Sequence, residues 1–557
     1  MTTAQPTTGD EAETSPQKLR LVVGASAAGT IFEWYDFFIY GALASIMARH
    51  FFADLPDAQA LIFSLLTFSV GLIVRPLGAL VFGKIGDSEG RKGAFLITIV
   101  LMGGATVAIG LLPTAEQIGP MAAALLIFCR ILQGFALGGE YGGAAIYVSE
   151  HAPRNGRGAA TALIQASAAM GLVGALGVIL ITRAIVGEEN FLAWGWRIPF
   201  LLSAVLLAIS IWIRMQLQES PAFQKLKAEG KTSKRSYAES FGEWRNLKIV
   251  LLALFGLMMA QGVGWYTANF YSQIFLERIL RVDQKSVNMV MIVVVLISAP
   301  LYVFFAWLSD KVGRRPVMLF GMALLAVFYF PGFQLMTQAA NPALAAAAAR
   351  APVTVVADPA DCSFMLDLTG GAHQFATSCD IARGALSDAG VNYAMVDAPA
   401  GAVAVVRVQG QSVESVNAEG LSLSQARAAR AAFAKAVRPA LSEAGYPERA
   451  DPAAINFPLL IGAMLVFIVA STALYGPQAA ALVELFPTRI RYTAFSLPYN
   501  VGTGWFGGLA PVTALAIVTA TGDIYAGLWF PLVITAAAAI IFLFFWPETK
   551  DRDIHAT

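Results

Sequence analysis

GKIGDSEGRKG, residues 83–93, and AWLSDKVGRRP, residues 306–316, are two versions of one short pattern. Aligned on Asp87 and Asp310, both read D-x-x-G-R-[KR], and each lies in a brief polar gap between long apolar runs. A parallel repeat at matching places in the two halves of a chain argues for two pseudo-symmetric bundles.

Working outward, the flanking runs set the fold class. The 557 residues are 57% hydrophobic and only 13% charged, with a mean hydropathy of +0.63. A soluble domain carries roughly a quarter charged residues, so this composition belongs to lipid. A crossing helix needs about 20 apolar residues, and only helices or closed barrels satisfy the backbone in hydrocarbon. The runs are continuous rather than alternating, so helices are expected, near 20–48, 58–82, 94–113, 121–147, 159–184 and 198–216, then 249–276, 287–308, 316–337, 457–483, 495–519 and 525–546. The expected fold is an all-α membrane protein with twelve transmembrane helices in two six-helix bundles.

Basic residues orient it. With Met1 inside, the inside loops hold Lys84, Arg91, Lys92, Arg154, Arg157, Lys311, Arg314, Arg315, Arg489 and Arg491, and outside loops chiefly Arg49, Arg278, Arg281 and Lys285. The positive-inside rule then puts both termini in the cytoplasm of a bacterial inner membrane. The polar start before Leu21 has no cleavage site after its apolar run, so no signal peptide is expected.

The expected parts are a tail (1–19), an N-terminal bundle (20–216), a basic cytoplasmic linker (217–248), three helices of the C-terminal bundle (249–338), an insertion (339–455), the last three helices (456–546) and a tail (547–557). The insertion is too long for a plain loop. Val353–Ala357 and Ala402–Val408 read as strands and Ser422–Ala444 as a helix with Ser422 or Ser424 near its N-cap, giving a small α+β periplasmic domain. Cys362 and Cys379 lie inside it, where an oxidising compartment permits a disulfide; two unpaired thiols are the other reading. Cys129, in the fourth span, reads as a small core residue.

The paired loops resemble the signature loop of the major facilitator superfamily, with Ala306 departing from the glycine usual there. GTIFEWYDFFIYG (29–41), VRPLGALVFGKIGD (74–87), CRILQGFALGGEYGGAAIYVSEHAPRNGRG (129–158), WGWRIPFLLSAVL (194–206), ELFPTRIRYTAFSLPYNVG (484–502) and WPETKD (546–551) narrow the resemblance to the metabolite:proton symporter family. The insertion is not part of that pattern. The resemblance implies import, with protons, of organic acids or of zwitterions such as proline and betaine. Osmosensing members carry a long coiled-coil tail, whereas about ten residues follow the last span here. This lowers the osmosensor reading without excluding a zwitterion.

Charges at bilayer depth are costly and usually functional. Glu33 and Asp36, three residues apart, share one face of span one, although either could only anchor a helix contact. Arg130 lies about 13 Å into span four and Asp36 at similar depth. The resemblance assigns Arg130, Gln133 and Gly134, an R-x-x-Q-G element, to proton coupling. Glu140, about 15 Å nearer the cytoplasm, suits the cavity or the inner gate equally. The expected mechanism is charge exchange: a carboxylate beside Arg130 stays ionised until an anionic substrate takes the guanidinium, and then binds a proton.

Arg75 either pairs with a carboxylate or meets an anion. Tyr35, Gln165, Asn500 and the span-seven stripe Gln261, Trp265, Asn269 and Ser272 complete the substrate-binding candidates, with Tyr266 and Tyr271 off the stripe. Gly138, Gly139, Gly142 and Gly143 in span four, with Gly171, Gly174 and Gly177 in span five, read as close-packing positions. Gly83, Asp87, Gly90 and Arg91, with Asp310, Gly313 and Arg314, read as gate elements, or else as fixing topology by charge alone.

Other classes have little support. His50, His151, His373 and His555 are not clustered, no metal-ligand spacing occurs, and no phosphate-binding loop is present, so neither an enzyme, a cofactor nor a metal is expected. A net charge of +1 gives no signal for nucleic acid. A proton-free facilitator and a sensor reading ligands through the insertion are the rivals. The main expectation is a monomeric importer of a small organic anion, with a zwitterion as the alternative.

Overall fold

The computed structural model describes residues 16–52, 57–216, 218–363 and 376–554; the outer parts of both tails, His373 and His555 lie outside the described residues. Long helices follow the apolar runs. In the first half they are Pro16–Ala42, Asp57–Ser88, Arg91–Leu111, Met121–His151, Arg157–Val186 and Arg197–Met215. In the second half they cover Trp244–Ile279, Gln284–Val312, Arg314–Ala340, Phe457–Leu485, Arg491–Thr521 and Trp529–Phe545. We number these spans one to twelve. Leu180, Ile185, Val327, Phe544 and Phe545 point outward and are more than half exposed, a greasy perimeter that water would not tolerate and lipid does.

Span seven starts earlier than the sequence suggests, because Trp244 and Leu247 are apolar enough to continue the helix while Arg245 and Lys248 stay exposed. The stretch expected as a linker therefore shortens, and it contains its own helix, Pro221–Ala228, capped by Ser220. Span seven is interrupted by three π segments, Leu254–Met258, Thr267–Tyr271 and Phe275–Ile279, and span eleven by one, Gly502–Gly507. Wide turns of this kind occur often at functional sites.

Spans two and eleven, and spans five and eight, pack across the bundle interface. Within the N-terminal bundle the closest approach joins spans two and four. A Cβ on Gly138 would overlap the Arg75 carbonyl, and one on Gly134 the Gly71 backbone. The span-four glycines thus let two backbones touch.

The insertion after span nine holds β1 (Val353–Ala357), β2 (Tyr393–Asp397), β3 (Val405–Val408) and β4 (Gln411–Glu414) in the order β2-β1-β3-β4. β1 runs parallel to β2 and antiparallel to β3. Helices Ser378–Asp388 and Leu423–Glu443 pack on the sheet, the second with a Ser422–Gln425 capping box. Cys362 and Cys379 are joined by a disulfide with Cα atoms 5.2 Å apart, and Cys129 is a buried free thiol. The unit docks on the end of span eleven away from the signature loops. Arg383 Nε donates to the Thr519 carbonyl at 3.2 Å, the Tyr393 amide to the Gly522 carbonyl at 2.9 Å, and the Ala450 amide to Arg281 at 3.1 Å beside span seven.

Replacing Gly138 by Val is expected to force spans two and four apart and cost roughly 1–3 kcal/mol, the usual price of overpacking. A lowered unfolding midpoint of the detergent-solubilised protein checks this; an unchanged midpoint would mean the contact is not tight.

Candidate functional site: an interbundle gate, a tyrosine cluster and two acidic centres

At the signature-loop end the two halves use the same chemistry twice. Asp87 accepts the amides of Tyr492 at 3.0 Å and Thr493 at 2.9 Å, so it caps the start of span eleven in the other bundle. Asp310 accepts the amides of Gly158 and Ala159, each at 2.8 Å, and caps the start of span five in return. A carboxylate on the exposed amides of a helix start satisfies donors and meets the positive dipole end. Arg91 pairs with Asp87 at 3.0 Å and Arg314 with Asp310 at 2.6 Å.

Four further residues close these networks. Glu150 binds Arg491 at 2.7 Å, and Glu484 binds Arg157 at 3.0 Å and Arg314 at 3.1 Å. Each network holds two carboxylates and two guanidiniums, all buried, and is balanced in charge. Sequence reasoning missed the two glutamates. Their signal was an E-x6-R spacing, Glu150 to Arg157 and Glu484 to Arg491, at equivalent places in the halves.

The loop glycines have a geometric role. Gly90 and Gly313 have φ of 136° and 109°, and a Cβ on either would strike the carboxylate that caps the following helix, Glu219 or Glu548. Glu548 accepts the amides of Arg314 at 2.9 Å and Arg315 at 3.1 Å. Burial opposes its ionisation, yet the amides of Lys550, Arg314, Arg315 and Thr549 together hold its carboxyl below the usual range. Gly83 lies against Thr493 of span eleven. At the equivalent place Ala306 meets Gly158, so the facing helix supplies the small residue and the departure from glycine is compensated.

Deeper, tyrosines from both bundles gather beside Arg75. The rings of Tyr141 and Tyr499 stack at 3.9 Å, and the Tyr475 and Tyr499 hydroxyls meet at 3.2 Å. Tyr302 packs on Tyr475 and accepts from Trp265 Nε1 at 3.0 Å. Gln165 donates to the Tyr141 hydroxyl at 2.8 Å. Arg75 Nε donates to Asn500 Oδ1 at 3.0 Å and its guanidinium lies 5.8 Å from the Tyr499 ring centre. Asn500 in turn donates to the Gly138 carbonyl at 2.8 Å.

Other candidates are placed elsewhere. Ser272 donates to Thr267 of its own helix, Asn269 to the Trp265 carbonyl, and Tyr35 to Pro199 of span six. Gln261 is buried in span seven. The stripe expected at regular helical spacing is broken by the π segment Thr267–Tyr271, which turns Ser272 away. Tyr271 packs against Phe275 and Phe333, as a core residue does, whereas Tyr266 lies within electrostatic reach of Arg75.

The acidic residues fall into two centres. Asp36 accepts from Ser203 at 2.5 Å and lies beside Thr106. Arg130 donates to Gln133 at 2.7 Å, Gln133 donates to Thr106 at 2.7 Å, and the guanidinium covers the Tyr40 ring at 4.3 Å. Arg130 therefore reaches Asp36 through Gln133 and Thr106, not by the direct pairing expected. Glu33 and Glu140 meet Arg214 instead, at 3.6 and 3.5 Å. Arg214, at the end of span six, escaped the sequence reading because a terminal arginine reads as an interfacial anchor.

Glu484→Gln is expected to weaken the closed gate by roughly 3–5 kcal/mol, the usual cost of breaking a buried ion pair. Spin labels at Arg154 and Lys311, both exposed at that end, should report a longer distance in the variant. An unchanged distance distribution would make the network purely structural.

The family described as sugar (and other) transporter matches residues 21–243 and 225–356. The proline/betaine transporter of Escherichia coli (strain K12) is 37% identical over 333 residues, covering 57% of this chain and 65% of that protein. The shikimate transporter of the same strain is 34% identical over 333 residues, covering 59% and 75%. The glycine betaine/proline/ectoine/pipecolic acid transporter of Dickeya dadantii (strain 3937) is 35% identical over 331 residues, covering 57% and 65%. The match thus spans slightly less than two thirds of the betaine-type relatives. In fold, the chain superposes on the proton:xylose symporter bound to 6-bromo-6-deoxy-D-glucose with a TM-score of 0.65 over 96% of this chain and 98% of that one, at 15% identity. The chain belongs to the sugar (and other) transporter family of the major facilitator superfamily, a family of multi-pass membrane transporters and not of enzymes.

Proposed function

We propose that the protein is a proton-coupled symporter that imports a small zwitterion carrying an ammonium and one carboxylate. The observation that carries this reading is the cluster of tyrosines and tryptophan around Arg75 at the bundle interface. Ring faces attract quaternary and cyclic ammonium groups, and a guanidinium binds a carboxylate. Two opposite partners side by side suit a zwitterion better than the small organic anion, mono-, di- or tricarboxylate, first expected. The names of the relatives from E. coli and D. dadantii point the same way. The shikimate transporter keeps a monocarboxylate as the second reading.

The rings stack on one another in the closed arrangement, so a substrate would part Tyr141 from Tyr499 as the bundles rock. The signature-loop networks tie the bundles at one end. Positive loops favour that end as cytoplasmic, with the insertion outside and both termini inside. A closed inner gate then corresponds to the state that loads substrate from outside. Asp36, linked to Arg130 through Thr106 and Gln133, supplies one ionisable group whose charge can change during the cycle.

Proteoliposomes with an inward proton gradient should accumulate labelled glycine betaine or proline. Tyr499→Leu should weaken apparent affinity by roughly 2- to 30-fold, as expected for losing a cation–π contact of about 0.5–2 kcal/mol. Arg75→Gln should reduce uptake more than tenfold, and Asp36→Asn should abolish accumulation while exchange persists. Uptake of a dicarboxylate with no zwitterion uptake would reverse the assignment.

A further inference from the structure

Glu33 of span one, Glu140 of span four and Arg214 of span six meet inside the N-terminal bundle. Arg214 Nη2 lies 3.6 Å from Glu33 Oε1 and 3.5 Å from Glu140 Oε1, so one nitrogen serves both carboxylates. All three residues are at most 5% exposed. The guanidinium carbon sits 3.1 Å from the centre of the Phe95 ring of span three, and Gly29 of span one packs against its tip. Glu33 Oε1, Glu140 Oε2, and Arg214 Nε and Nη1 have no hydrogen-bond partner among the described residues. Two further ionisable groups face the guanidinium, Tyr147 of span four and Tyr492 of span eleven. Tyr492 is itself near Asp87 and Arg91 of the gate.

The gate networks balance two carboxylates with two guanidiniums. This centre does not: among the described residues, two carboxylates share one guanidinium, and the neutral tyrosines add no cation. A surplus negative charge in a dry interior is expensive, and two acids on one site resist double ionisation. One proton shared by the pair removes the surplus.

We infer that Glu33 and Glu140 hold one transported proton between them, positioned by Arg214. This rests on the proton-coupled reading above and adds a site separate from Asp36, which meets Ser203 and Thr106 instead. The centre is also tied to the gate. The Tyr492 hydroxyl donates to the Gly139 carbonyl at 2.7 Å, one residue before Glu140, while the Tyr492 amide is capped by Asp87 at 3.0 Å. Opening the gate frees span eleven, withdraws Tyr492 and admits water from that end. The proton then passes from a carboxyl oxygen to water, and no other bond changes.

The test is infrared spectroscopy of purified protein in lipid nanodiscs at neutral pH, reading the carbonyl band of protonated carboxylic acids, with gradient-driven proline uptake measured in parallel. E33Q and E140Q should each remove the same band component, because the remaining carboxylate and Arg214 already balance. R214Q should about double that component, and D36N should retain it. Should E140Q fail to fold, E33Q carries the same reading. Uptake driven by the gradient should fall at least tenfold in both glutamine variants while exchange persists. A component that survives in E33Q and E140Q, or does not grow in R214Q, overturns the shared proton. Loss of the component with uptake unchanged overturns its transport. Absence of gradient-driven uptake of any substrate in the unaltered protein would instead remove the symport reading, and it is distinguishable because the band pattern would stand.

Discussion

Two aspartates that reach from one bundle to cap a helix of the other are the contact on which the arrangement depends. Asp87 holds the first amides of span eleven, and Asp310 those of span five. In the proposed transport cycle this joint opens, which a covalent link would not allow. Capping bonds are strong when geometry is right and are lost together when the helix start moves. Ion pairs with Arg91 and Arg314, and with Glu150 and Glu484 behind them, keep the buried carboxylates compensated while the joint is shut.

That joint explains the glycines and the second pair of acids around it. Gly90 and Gly313 allow Glu219 and Glu548 to cap the following helices, so the loop is clamped from both sides. Gly83 and Gly158 let the ends of spans two and eight touch the facing helices, one glycine contributed by span two and the other by span five. The interface is thus symmetric in chemistry although not in sequence. Because each network is balanced in charge, opening in the proposed cycle would expose neutral sets, whose desolvation cost is recovered when water enters.

Much of this was legible in the sequence, for physical reasons. Continuous apolar runs have one solution in lipid, so the spans followed from composition. The repeated D-x-x-G-R located the joint, and the apolar runs Val353–Ala357 and Ala402–Val408, with Ser422 before a helical stretch, marked three elements of the insertion, the second strand being confined to Val405–Val408. The short strands β2 and β4 escaped, since β2 is mostly exposed and carries little pattern. Pairings across spans were less legible. Asp36 and Arg130 lie at matching depth, yet Thr106 and Gln133 stand between them, and depth along a helix does not fix azimuth. The π segment at Thr267–Tyr271 shifts the face of span seven, which a regular 3.6-residue count cannot anticipate.

In the proposed cycle, the contrast between balanced and unbalanced charge separates the groups that hold the joint from those that exchange a proton. Glu150, Glu484 and their arginines are neutral as sets, and nothing in their surroundings calls for a proton. Glu33, Glu140 and Arg214 are not, and Glu140 directly follows Gly139, whose carbonyl accepts from the Tyr492 hydroxyl. Tyr492 therefore joins the two kinds of site, with its amide on the gate carboxylate and its hydroxyl on the helix that carries Glu140. In the proposed cycle, a single residue bonded at both ends couples gate position to access to the acidic centre, because movement of span eleven away from Asp87 strains the hydroxyl bond to Gly139.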